Sequence, residues 1–179
     1  MANIVQVDDF TGLITIAQIS QQEVRDAVTE FIEIYEPEFL TMALGVDLYN
    51  LLLDGLVFNE DGTINEDETP EIWLKLITQL GTSIANYIYY KYQQENNTQT
   101  SGIGETKGNL DNAVSATPMI KMCRRWNEMV EIVHSTVTFI NNNQADYEAY
   151  YIANLFCYGY FNWYCNRPEI FDKINSLGL

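Results

Sequence analysis

Apolar residues recur every three or four positions along most of the chain, and polar stretches rich in Gly, Asn, Asp and Pro cut them into helical lengths. Residues 3–19, "NIVQVDDFTGLITIAQI", are rich in Ile and Val with a turn signal at Gly12, which predicts an extended arm or a short strand. Ser20 followed by Glu23 has the spacing of a capping box, so a helix is expected to start there. Val24, Val28, Phe31 and Tyr35 fall on one face of it. Pro37 is expected to end that helix and open a short one reaching Gly45. "VDLYNLLLDG" predicts another short helix that stops at Gly55.

An acidic loop, "FNEDGTINEDETP", follows, and Thr69–Pro70 mark a new helix start. Trp73, Leu76, Ile77, Leu80, Ile84, Tyr87 and Ile88 then form one apolar stripe that fades near Glu95. Residues 96–117 have several glycines and little to bury. Thr117–Pro118 repeat the start signal. Met119, Cys123, Trp126, Val130, Val133, Val137 and Ile140 alternate spacings of four and three, a seam of about six turns. "NNNQ" breaks it, and an aromatic helix from Ala145 to Asn166 follows, apolar on more than one face. Arg167–Pro168 end that helix, and a short C-terminal helix is expected beyond. The fold class is therefore all-α. One domain over 1–179 is a small bundle of about five to six helices, with an extended arm (1–19) and one long polar loop (96–117).

Charge narrows the function. The chain of 179 residues carries 25 acidic against 9 basic residues, a formal net charge of −16. Such a surface repels nucleic-acid phosphates and anionic headgroups, but suits a wall past which DNA must slide without sticking. No basic leader and no long apolar run are seen, so neither a signal peptide nor a membrane span is expected. Cys123, Cys157 and Cys165 are far apart in apolar surroundings, which fits buried free thiols in a reducing cytosol.

Candidate chemistry is sparse. Gly102 and Gly104 begin a GxG pattern, but a helix precedes it and Lys107 takes the third position, so a phosphate cradle is not expected. "VFNEDGTINEDE" lays Asn59, Asp61, Gly62, Ile64 and Glu68 on a calcium-loop template, with Val57 in place of the first carboxylate. An Asp-Gly turn in a solvated loop is the simpler reading. Glu131–His134 is a Glu-x-x-His pattern, but His134 is the only histidine, so neither a di-iron pair nor a His-dependent triad can be completed within the chain. Glu33 with Glu36, and Asp146 with Glu148, are read as solvated faces. The aromatics from Tyr147 to Tyr164 lack interleaved basic residues, which favours core or protomer contact over base stacking. Arg124 and Arg125 flank Trp126, a pairing favoured in protein interfaces. No catalytic group, cofactor or metal is expected.

Three segments carry a resemblance. "FIEIYEPEFLTMALGVDLYNLL" (Phe31–Leu52), "YIYYKYQQENNTQTSGIGETKGNLDNAVSATP" (Tyr87–Pro118) and "KMCRRWNEMV" (Lys121–Val130) together resemble the small α-helical head–tail connector (adaptor) proteins of Bacteroidetes phages. The arm and the aromatic helix lie outside the resemblance. It implies a structural virion protein without enzymatic activity, made in the host cytoplasm. Such a protein forms a ring with itself, commonly of twelve copies, beneath the portal protein. It meets a tail or second connector protein below, and DNA passes through the channel without specific binding. Asn96, Thr100, Gly102, Gly104, Lys107, Arg124 and Arg125 are the residues expected at subunit or portal contacts. The alternative is a non-assembling helical interaction or regulatory module of phage or bacterial origin.

Overall fold

The computed structural model describes residues 3–96, 99–101, 104–106, 119–150 and 171–175. Among the described residues the long or medium helices are α1 (Gln22–Leu44), α2 (Val46–Gly55), α3 (Glu71–Asn96) and α4 (Met119–Asn142). A further helical turn begins at Glu148 and runs to the edge of the described stretch. The bundle is all-α in character, as the spacing of apolar residues predicts. Its only sheet among the described residues is a two-stranded ribbon, β1 (Gln99–Ser101) with β2 (Gly104–Thr106), antiparallel with Gln99 opposite Thr106.

α3 is the central helix, packed on α1 at one side and α4 at the other. Its residues Ser83 to Tyr89 are all buried, which one apolar stripe does not anticipate. Two polar groups in that stretch are satisfied. Ser83 Oγ donates to the Leu80 carbonyl at 2.6 Å, and Asn86 Nδ2 donates to Glu128 Oε2 at 3.1 Å. Phe39, Tyr87, Trp126 and Phe171 form a chain of ring contacts through the core, with centroids 5.3–6.1 Å apart.

Several local expectations change. Pro37 does not break α1, which runs through it. Proline removes one helical N–H and crowds the preceding turn, at a cost of ~3 kcal/mol. Flanking Ile32, Phe39 and Leu40 are essentially fully buried, at roughly 1.5–3 kcal/mol each, so tertiary burial outweighs the break. Ser20 is not the cap. The helix starts one residue later with Gln21 in the cap position and no side-chain cap bond. Residues 3–20 contain no strand. They form two single 3-10 turns, Val7–Asp9 and Gly12–Ile14, and sink Val5, Phe10 and Ile16 into the core. The expected short C-terminal helix is not found over 171–175, which are non-helical. Trp73 and Trp126 are half-buried rather than fully buried. The rest of the expected aromatic helix, beyond Tyr150 and including Cys157 and Cys165, lies outside the described residues.

Candidate functional site

Most of the polar chemistry of the described molecule is used to fasten chain segments. At the N-terminal end, the backbone N–H groups of Ile4 and Val5 donate to the two carboxylate oxygens of Glu36 at 2.9 and 2.8 Å. Glu36 is only 5% exposed, so it is not on a solvated face. Burial pushes its carboxyl up to about 7, against the pull of the two N–H donors, and the nearby Asp9 charge adds to the rise. Burial also raises the neighbouring Tyr49 phenol, with Glu36 contributing. Sequence spacing held the signal: Glu36 follows Val28 and Ile32 at intervals of four, on the buried line of α1.

At the other end, residues 171–175 lie along α4 as a strap. Trp126 Nε1 donates to the Asp172 carbonyl at 2.8 Å. Asn127 grips Ile174 twice, Nδ2 to its carbonyl and Oδ1 from its N–H, both at 2.8 Å. Cys123 Sγ meets the Asn175 carbonyl at 3.1 Å, and His134 Nε2 lies 3.1 Å from the Phe171 carbonyl. Lys173 pairs with Glu131 at 2.6 Å, which holds that carboxyl below its usual range. The Glu-x-x-His pattern thus serves the strap: both its residues hold 171–175.

The acidic loop closes as a turn. Phe58 and Ile64 form an antiparallel bridge, and Gly62 takes φ 83°, a conformation that favours glycine. Asp61 Oδ1 accepts from the Thr63 N–H at 2.9 Å and its hydroxyl at 2.6 Å, which lowers the Asp61 carboxyl. Among the described residues no group of three His, Cys, Asp or Glu side chains is placed to hold a metal ion. Thr69 sits before α3 as expected, but its hydroxyl accepts from the Val57 N–H at 3.1 Å and so ties the loop's two ends.

A cleft of about 430 Å³ opens between the N-terminal turns and the α3–α4 pair. Its lining includes Val5, Leu13, Gly81, Ala85, Arg125 and Glu128. Arg125 Nη1 pairs with Glu128 Oε2, the same oxygen that Asn86 reaches. Arg125 Nε is buried without a hydrogen-bond partner. It is the one such side-chain atom among the described residues.

The residues expected at contacts are dispersed. Asn96 is exposed at the end of α3, its side chain turned back to the Tyr92 carbonyl at 2.9 Å. Thr100 and Gly104 lie on the two strands of the ribbon. Gly102 and Lys107 fall outside the described residues. Arg124 is exposed on α4, whereas Arg125 turns into the cleft. Neither arginine falls on the seam of Cys123, Trp126 and Val130 read from sequence. Arg125 instead shares a second line with Met122, Met129, Val133, Thr136 and Ile140, whose other members are all buried. Comparison with family models, curated proteins and solved structures gives no match to this chain. Among the described residues, no helix is long and apolar enough to cross a membrane.

Proposed function

We propose that the chain is a structural head–tail connector that assembles as a ring beneath the portal of a tailed phage. In this role it lines the DNA channel with acid and meets the tail side below. The observation that carries a protein-partner role is the ribbon between α3 and α4: it contains two strands of three residues each and pairs only with itself among the described residues. An isolated pair of strands is marginal in water, and each open edge is a template for another chain. The three resembling segments supply the identity of that partner. The net charge of −16 fits a channel that DNA passes without adhering.

The test is native mass spectrometry of the chain alone and with the portal protein of the same genome. The expected result is a discrete complex, near twelve copies, in at least one condition. A monomer in both would sink the connector reading in favour of a non-assembling interaction module. Replacing residues 97–116 by a short Gly-Ser linker should abolish assembly while leaving helical circular dichroism unchanged.

A further inference from the structure

The strap is held the way a receptor holds an extended peptide. Its first carbonyl, of Phe171, lies at His134, and its last, of Asn175, lies at Cys123. Cys123 and His134 stand about 16 Å apart along α4, a span that five residues bridge only when extended. The segment therefore runs extended and antiparallel to the helix. Cys123, Trp126, Asn127, Glu131 and His134 recur at intervals of three or four, so they share one face of α4. Asn127 meets both the N–H and the carbonyl of Ile174, the two bonds a neighbouring strand would make. Main-chain bonds of this kind hold any sequence, and contacts to individual side chains add selectivity.

Three strap side chains show what the face selects. The first position takes an aromatic ring: Phe171 is buried, with Phe39 at 5.8 Å and Trp126 at 6.1 Å. The third takes a cation, Lys173 on Glu131, and the fourth takes the half-buried Ile174. The face is set in advance, since Trp126 packs on Tyr90 at 4.9 Å and Tyr87 at 6.1 Å. The strap fills it imperfectly. The side chains of Lys173 and Glu131 are 52% and 64% exposed, so their pairing is weak. Asp172 is exposed and adds an acid to a chain of formal net charge −16. A segment with a basic second residue gains from that field. A second copy would bring the same acid and give up an identical contact, so exchange between copies gains nothing.

We infer that this face of α4 is a docking site for an extended basic segment of a partner protein, aromatic at its first position, cationic at its third and aliphatic at its fourth, with residues 171–175 as the resident occupant. The inference does not depend on the ring reading. A tethered ligand competes at an effective concentration on the order of millimolar, so the strap excludes weak ligands and yields to a segment of better charge complementarity.

Two capped peptides are the probes: residues 171–175 (FDKIN) and the same peptide with Asp172→Lys. Each is titrated into the full-length chain carrying Phe171→Ala, which loosens the strap, while nitrogen NMR follows the Trp126 indole N–H and the Asn127 side-chain amide. Both peptides should shift these signals, binding at least about tenfold more tightly than to the wild type. The Asp172→Lys peptide should bind about three- to tenfold more tightly than FDKIN at low salt, a gain that shrinks at high salt. Adding Asn127→Ala to the chain should weaken both about tenfold, read at Trp126. If Phe171→Ala loses helical circular dichroism, Ile174→Pro replaces it, because it removes the N–H that Asn127 Oδ1 accepts and keeps the core ring. Signals unmoved by either peptide in a folded variant overturn the inference, as does binding that ignores Asn127→Ala or is equal for the two peptides. A wild-type oligomer that dissociates on Phe171→Ala assigns the face to a second copy and also overturns it.

Discussion

Raising the pH from 5 to 8 should destabilise the wild-type chain relative to a Glu36→Gln variant. Glu36 titrates at about 7 in the folded chain, against an ordinary value of 4.5. Between those values the folded chain holds a proton that the unfolded chain has lost. The stabilisation is therefore complete below the ordinary value, declines as pH rises, and is gone above about 7. A separation of two to three pH units corresponds to about 3 kcal/mol. For a chain of this length that is about 6–12 °C in Tm. The perturbation is local: Asp9 and Tyr49 are the titratable neighbours, and the bonds at stake are the Ile4 and Val5 N–H groups on Glu36. Scanning calorimetry at pH 5, 6, 7 and 8 at fixed ionic strength would measure it, and hydrogen exchange at the Ile4 and Val5 amides would follow the arm itself. Glutamine does not titrate, so the difference between the two profiles isolates Glu36 from the other acids. Parallel profiles would refute the reasoning. A wild type that gains on the variant as pH rises would show that the two N–H donors outweigh burial.

Other substitutions test the packing. Gly55→Ala would set a methyl group 1.9 Å from the Trp73 indole nitrogen. The indole must move, at about 1–3 kcal/mol, read as a lower Tm and altered tryptophan fluorescence. Pro37→Ala restores an N–H inside α1 and should raise stability by about 1–2 kcal/mol in denaturant titrations, once the unfolded-state advantage of proline is subtracted. Asn127→Ala removes both bonds to Ile174. It should cost about 1–3 kcal/mol and speed proteolysis at the C-terminal strap before any loss of helix content.

The long helices were legible because their apolar residues repeat with the helical period. Leu76, Leu80, Ile84 and Ile88 mark α3, and Cys123, Val130, Val133 and Ile140 mark α4, all of them buried. Helix ends were less legible, since Pro37 and Ser20 carry local signals that tertiary burial overrides. The arm was misread in detail because Ile and Val report apolar character, and Val5, Phe10 and Ile16 satisfy it by sinking individually between helices rather than by pairing in a sheet. Of the cleft, only Arg125 was singled out. Its inward turn depends on α4 having two covered faces, one against α3 and one beneath the strap, and a single heptad seam describes only one. Glu36 was hidden by its charge, although its position on the line of Val28 and Ile32 placed it inside.

The strap has a consequence for how this chain tolerates change. Apart from the Lys173–Glu131 ion pair, α4 holds it through the main chain: the carbonyls of Phe171, Asp172, Ile174 and Asn175 and the N–H of Ile174. Those groups are the same whatever side chains they carry. Asp172 is exposed and can drift in sequence without loosening the segment. Phe171, stacked on Phe39 at 5.8 Å, sets where the segment sits. The information that docks this end of the protein is therefore written 46 and 47 residues earlier, in Trp126 and Asn127.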